Sequence, residues 1–200
     1  MKTTTKRRES IFPTYLYQID IEDYDKDLLK QIISDNIITR TDPLTLSSHK
    51  MHEDPRIQEF KNFILDTCKD AMENQGYFPQ DLELSGMWGV EQTKHGYHRQ
   101  HTHPNNWMCG VFYIDAFPGD SIIFHDPRLR ANAIQPKTMQ YNEYTTSIEK
   151  MEAVSGRMYI FPAWLEHSVE PVMHDNKRIS ISWNIRIPKD LGAGYGCTNG

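Results

Sequence analysis

Arg178-Ile179-Ser180-Ile181-Ser182-Trp183-Asn184-Ile185 alternates polar and apolar residues without a break. Side chains two apart on a β-strand share a face, so this stretch has one apolar face and one bearing an arginine, two serines and an asparagine. The apolar face packs on a core. The polar face suits solvent or a polar pocket, and an arginine fork beside a hydroxyl can hold a carboxylate through two hydrogen bonds. Reading outward, further short strands are expected at 82–92, 106–114, 121–124, 157–161 and 167–172, with 178–187 the last. Pro118-Gly119-Asp120 and His174-Asp175-Asn176-Lys177 read as turns between them.

Upstream the pattern changes. Residues 11–21 read as extended, with a proline that favours a sheet edge. Residues 25–33 have helical periodicity through Leu28, Leu29, Ile32 and Ile33, and 35–51 read as a mostly polar, turn-rich connection. A second helix is expected with Asp54 as N-cap, Pro55 at the first helical position and Gly76 at its end. Its buried stripe is Ile57, Phe60, Ile64, Cys68, Ala71 and Met72. Helices followed by a run of strands predict a mainly β fold, two helices supporting a sheet sandwich or barrel. The long polar insertion 126–155 fits a lid, a binding loop or disorder. Residues 1–10 read as a disordered tail, 11–190 as a single domain and 191–200 as a flexible tail.

Two hundred residues suffice for one domain with a sizeable core. A formal charge of −5 argues against general nucleic-acid binding, which needs a basic face. No stretch reaches the ~18 consecutive apolar residues of a membrane span, and no signal-peptide segment follows the basic N-terminus. Cys68, Cys109 and Cys197 form neither a CxxC pair nor a disulfide framework, so a reducing, cytoplasmic setting fits best. Cys68 and Cys109 read as buried small hydrophobes.

The chemistry lies in the histidines. If His101 and His103 share a strand, both imidazoles turn to one face and can meet one ion. His167 follows the strand-and-turn segment 156–166, and Arg178 lies eleven positions later, on the strand expected to return beside it. Three histidines on one side of an ion leave its other side open, a layout that suits non-haem iron awaiting a chelating co-substrate. His52, His95, His98, His125 and His174 stand alone and read as ordinary core or surface residues. Trp88, Tyr97, Arg99, Trp107, Arg128, Tyr141 and Tyr144 are candidates for a mouth or lid, with Asp126 and Arg128 expected near the opening.

From residue 97 to 187 the chain resembles the iron(II)- and 2-oxoglutarate-dependent oxygenases, closest to the prolyl-hydroxylase-like branch and its phage and bacterial members. The resemblance rests on five pieces. These are His101-Thr102-His103-Pro104-Asn105 running into Gly110-Val111-Phe112-Tyr113-Ile114, then Asp120-Ser121-Ile122-Ile123-Phe124, Phe161-Pro162 before His167, and Arg178-x-Ser180. It implies a double-stranded β-helix (jelly-roll, cupin-like) core with N-terminal helices packed on it, and a catalytic core at 82–188. It also implies Fe(II), 2-oxoglutarate and O2 as cofactor and co-substrates. His101 and His167 match the family's histidine ligands, Arg178 the arginine that binds the distal carboxylate of 2-oxoglutarate, and Ser180 its companion hydroxyl. Tyr113 resembles a tyrosine that some members direct at the same co-substrate. His103 departs from the pattern, standing where the family carries Asp or Glu.

The activity implied is hydroxylation of an unknown substrate, a small molecule or a protein side chain such as proline, with release of succinate and CO2. Two other readings stay open: a zinc-dependent hydrolase or hydratase using the three histidines, and a non-catalytic jelly-roll binding or assembly protein with a vestigial metal site.

Overall fold

Strands numbered in chain order pair antiparallel into two sheets in the computed structural model, which describes residues 7, 10–38, 44–48, 50–128 and 136–188. The larger sheet runs β1 (Tyr17–Asp20), β9 (Arg157–Pro162), β6 (Met108–Asp115), β11 (Arg178–Arg186), β4 (Glu83–Gln92), β3 (Thr45–Ser48) and β2 (Ile37–Ile38). The smaller runs β5 (His98–His101), β10 (His167–Val169), β7 (Ser121–His125) and β8 (Ile148–Glu152). This is the jelly roll that the resemblance implies, with helices on the outer face of the larger sheet.

Strand parity separates two cores. Ile179, Ile181, Trp183 and Ile185 turn outward and pack with Met108, Phe112, Met158 and Ile160 beneath the helices. Cys109, Val111, Tyr113, Tyr159 and Phe161 turn inward and meet Ile122 and Phe124 of the smaller sheet. The polar residues of β11 therefore face the space between the sheets.

Helix α1 (Lys26–Asp35) is capped by Asp25, whose side chain accepts from the Leu28 N–H at 2.9 Å. It lies so close to β4 that a Cβ at Gly89 would collide with the Ile33 side chain. Asp54 is a cap as expected, but it caps a 3₁₀ turn, Pro55–Ile57, that leads into α2 (Gln58–Asn74). The α2 stripe is buried as read, with the half-buried Phe60 packing its ring 5.2 Å from that of Phe112. Gly76 follows the helix in a left-handed conformation that costs a residue without Cβ little. Burial pushes the Cys68 thiol up to about 12 and the Cys109 thiol well above its usual value, so both are inert hydrophobes.

Two expectations need correction. Residues 35–51 are not merely a connection, because β2 and β3 extend the larger sheet there. These strands are short and β3 is largely polar, so no apolar alternation betrays them. The insertion 126–155 contains β8, a charged edge strand that pairs with β7. Its residues 129–135, the tails 1–10 (apart from Arg7 and Ser10) and 191–200, and Cys197 lie outside the described residues. No described helix is long and apolar enough to cross a membrane.

Candidate active site

His101 is the last residue of β5 and lies directly opposite His167, the first residue of β10. Cross-strand pairing brings their ring centroids to 4.3 Å. His103 comes two residues after the strand has ended, so strand periodicity is not what turns it toward His101. It is placed by its backbone N–H, which donates to the Ala163 carbonyl at 2.9 Å, and by Trp88, which stacks on its ring at 5.9 Å. The ligating atoms of His101, His103 and His167 all lie within 4.8 Å of one another, and no other such cluster of metal-ligating side chains occurs among the described residues.

The free nitrogens point the right way for a metal. A carbonyl oxygen can only accept, so the His101 Nδ1–H donates to the Arg99 carbonyl at 2.6 Å and the His167 Nδ1–H donates to that of Leu165 at 2.9 Å. Each ring then offers its Nε2 lone pair, the usual arrangement of a ligating imidazole. Nε2 atoms of His103 and His167 stand 3.3 Å apart. Ligands on one ion at ~2.1 Å bond length keep cis nitrogens roughly 3 Å apart, so the donor set fits a metal. Burial is the main cause lowering His103 to about 4 and His167 to about 3, and nearby histidines add to it. Both rings are thus neutral, the state that binds metal.

A cavity of about 650 Å³ opens beside the triad. Its lining joins the three histidines to Tyr113, Arg178, Ser180 and Gln92, with Trp88, Tyr97 and Arg99 also contributing. Ser180 sits directly opposite Tyr113 on β6. The Tyr113 hydroxyl is buried with no partner among the described residues, as expected of a group reserved for a ligand. Arg178 is almost fully buried and ion-paired to the equally buried Asp120, Nη1 to Oδ1 at 3.0 Å. Asp120 also accepts from the Phe117 N–H and lies 3.1 Å from His174 Nε2.

The fold thus gathers the histidine triad with Arg178, Ser180 and Tyr113. It does not bring Asp126 and Arg128 to this opening. They pair with each other and line a separate cavity of about 570 Å³, together with Tyr144. Sequence reasoning missed Gln92 and Asp120. A polar residue following Trp88 and Val90 at the same parity of β4 was the available signal for Gln92. Asp120 read as a turn residue, and only its long-range partners reveal it as buried.

The family model described as "Putative 2OG-Fe(II) oxygenase" matches residues 86–184, a span holding all six of these site residues. The chain belongs to the 2OG-Fe(II) oxygenase family. Solved structures similar to this oxygenase share its fold at low identity. HygX from Streptomyces hygroscopicus, with nickel and 2-oxoglutarate bound, is 13% identical with a TM-score of 0.59, over 88% of this chain and 84% of that one. A prolyl-4-hydroxylase from Pseudomonas putida is 14% identical with a TM-score of 0.59, over 88% and 94%. A 2OG-Fe(II) oxygenase family oxidoreductase from Burkholderia pseudomallei is 10% identical with a TM-score of 0.59, over 80% and 77%. No curated protein matches the oxygenase in sequence.

Proposed function

We propose that the protein is an iron(II)- and 2-oxoglutarate-dependent dioxygenase that hydroxylates a small molecule or a protein side chain and releases succinate and CO2. The observation that carries this reading is a single cavity with three converging imidazoles and, in the same lining, a buried arginine, serine and unpartnered tyrosine hydroxyl. His101, His103 and His167 hold the iron, and Arg178, Ser180 and Tyr113 hold the distal carboxylate of 2-oxoglutarate. We read 11–190 as one domain, because α1 and α2 pack on the same sheet that carries Arg178.

When bound, iron and 2-oxoglutarate would activate O2, the oxidant, whose four-electron reduction is shared between decarboxylation of 2-oxoglutarate and hydroxylation of the substrate C–H bond. The chain supplies position. Backbone carbonyls fix the tautomers of His101 and His167, and Trp88 steadies the His103 ring. Trp88, Tyr97 and Arg99 are the side chains nearest to hand for substrate recognition. A substrate of either class has precedent in the fold, since HygX has been seen with hygromycin B and another relative is a prolyl-4-hydroxylase. A zinc hydrolase would use the three histidines but leave Arg178, Ser180 and Tyr113 without a ligand.

Oxygen-dependent formation of succinate from 2-oxoglutarate by the iron-loaded protein tests the reading. It is expected in the wild type and lost in His167→Ala. A correctly folded, iron-loaded protein that consumes no 2-oxoglutarate with or without candidate substrates speaks against it.

A further inference from the structure

Thr45, Gln92 and Arg178 lie directly opposite one another on the three neighbouring strands β3, β4 and β11, and all three line the cavity. Gln92 Oε1 accepts from Arg178 Nε at 3.1 Å and from Nη2 at 2.8 Å. Arginine has only donors, so the amide oxygen must face it and the amide cannot be flipped. The Gln92 Nε2 group is left with its N–H donors turned away from Arg178. It has no partner among the described residues, and neither has the Thr45 hydroxyl. Gln92 is 3% and Thr45 8% exposed, so bulk water does not readily satisfy them.

Arg178 is already heavily engaged. Nε and Nη2 donate to Gln92, Nη2 also to the Glu170 carbonyl at 2.9 Å, and Nη1 to Asp120. Four of the five guanidinium N–H groups are thus spent inside the protein, leaving one on Nη1. The two-bond grip expected from sequence is not available to a ligand. The Asp120 carboxylate also balances the arginine's formal charge. A carboxylate bound here needs neutral donors around it.

On the strength of the oxygenase reading, we propose that Gln92 and Thr45 are ligands for the distal carboxylate of 2-oxoglutarate, through Nε2–H and the Oγ1 hydroxyl. They complete a donor set with Tyr113, Ser180 and the remaining Nη1–H of Arg178. Gln92 therefore acts twice, holding the arginine with its oxygen and the co-substrate with its nitrogen. Asp120 is a positioning residue that fixes Arg178 from the other side.

Calorimetric titration of 2-oxoglutarate into the Ni(II)-loaded protein tests this assignment. The Thr45 hydroxyl makes no hydrogen bond to Arg178 or the triad, so Thr45→Val is the cleaner variant. Its Kd for 2-oxoglutarate is expected to rise about 10-fold, the effect of losing one hydrogen bond to a charged group. Gln92→Glu keeps an acceptor for Arg178 but replaces the donor with an oxygen, and its Kd is expected to rise more steeply still. Ni(II) affinity should stay within about 2-fold of wild type in both, since neither residue belongs to the triad. Wild-type 2-oxoglutarate affinity in Thr45→Val, accompanied by higher resistance to urea, would mean the hydroxyl is merely an unpaired core group and would overturn its role. Wild-type affinity in Gln92→Glu would reduce Gln92 to a positioning residue. A wild-type protein that takes Ni(II) but not 2-oxoglutarate would remove the oxygenase reading itself, and this inference with it.

Discussion

His103 and His167 confront each other through Nε2 atoms 3.3 Å apart, with rings only 9° from parallel. Two neutral imidazoles so placed repel through their lone pairs unless a proton or a metal ion lies between them. The protein holds the donor set in a geometry that a cation stabilises.

Acid should therefore weaken the metal-free protein. Burial lowers His103 to about 4 and His167 to about 3 from an ordinary 6.5, so between those values the unfolded chain binds protons that the folded one does not. Stability is then full above pH 6.5 and falls as pH drops toward 4. Thermal melts of the chelator-treated protein should show the midpoint falling through that window. A flat profile, or one unchanged in His103→Phe, would contradict the assigned protonation states.

The Arg178–Asp120 pair should be costly to break. Both side chains are 1% exposed, and removing one partner leaves an uncompensated buried charge. Asp120→Ala is expected to lose about 3–5 kcal/mol in urea unfolding. Asp120→Asn, which keeps the shape, should lose less and bind 2-oxoglutarate in altered affinity with unchanged Ni(II) affinity. A loss below ~1 kcal/mol in Asp120→Ala would show that the pair is not buried as described.

Gly89 separates fold from site. A methyl group there meets Ile33 on α1, so Gly89→Ala should cost about 1–3 kcal/mol by overpacking. Ile33→Ala in the same chain should return part of that loss, a coupling that a double-mutant cycle reads directly. The 2-oxoglutarate affinity of folded Gly89→Ala should match wild type. A strictly additive pair would mean the two residues do not touch.

How much of this was legible in the sequence depends on the range of the interactions involved. The alternation of β11 places Arg178 and Ser180 inward and Trp183 outward because a strand's period is local and strict. The α2 stripe is legible for the same reason. His101 and His103 do converge with His167, but not by strand periodicity, since the strand stops at His101 and a hydrogen bond to Ala163 places His103. β3 was hidden because Thr45 and Ser47 face the cavity and Ser48 accepts from the Gly89 N–H, so a short strand with three polar residues in four looks like a loop. Gln92 and Asp120 take their meaning from Arg178, which lies 86 and 58 positions away in sequence. No local pattern encodes a contact of that range.

His103 lies two residues beyond the end of β5, outside the strand pairing, so its side chain can be exchanged without touching the ladder. His103→Asp is expected to retain iron, since a carboxylate is a competent third ligand, whereas His103→Ala should lose affinity by at least about 10-fold. Equilibrium dialysis with Fe(II) under anaerobic conditions measures both. Equal affinity in wild type and His103→Ala would exclude His103 from the metal site.

Anaerobic addition of Fe(II) and then 2-oxoglutarate to the 200-residue chain, followed by visible absorption, tests the iron and co-substrate site most directly. A charge-transfer band is expected that appears only when both are present, saturates at one equivalent of iron, and vanishes in His167→Ala. In Arg178→Ala it should require much higher 2-oxoglutarate. A folded protein that binds iron yet develops no band at saturating 2-oxoglutarate would contradict the oxygenase reading.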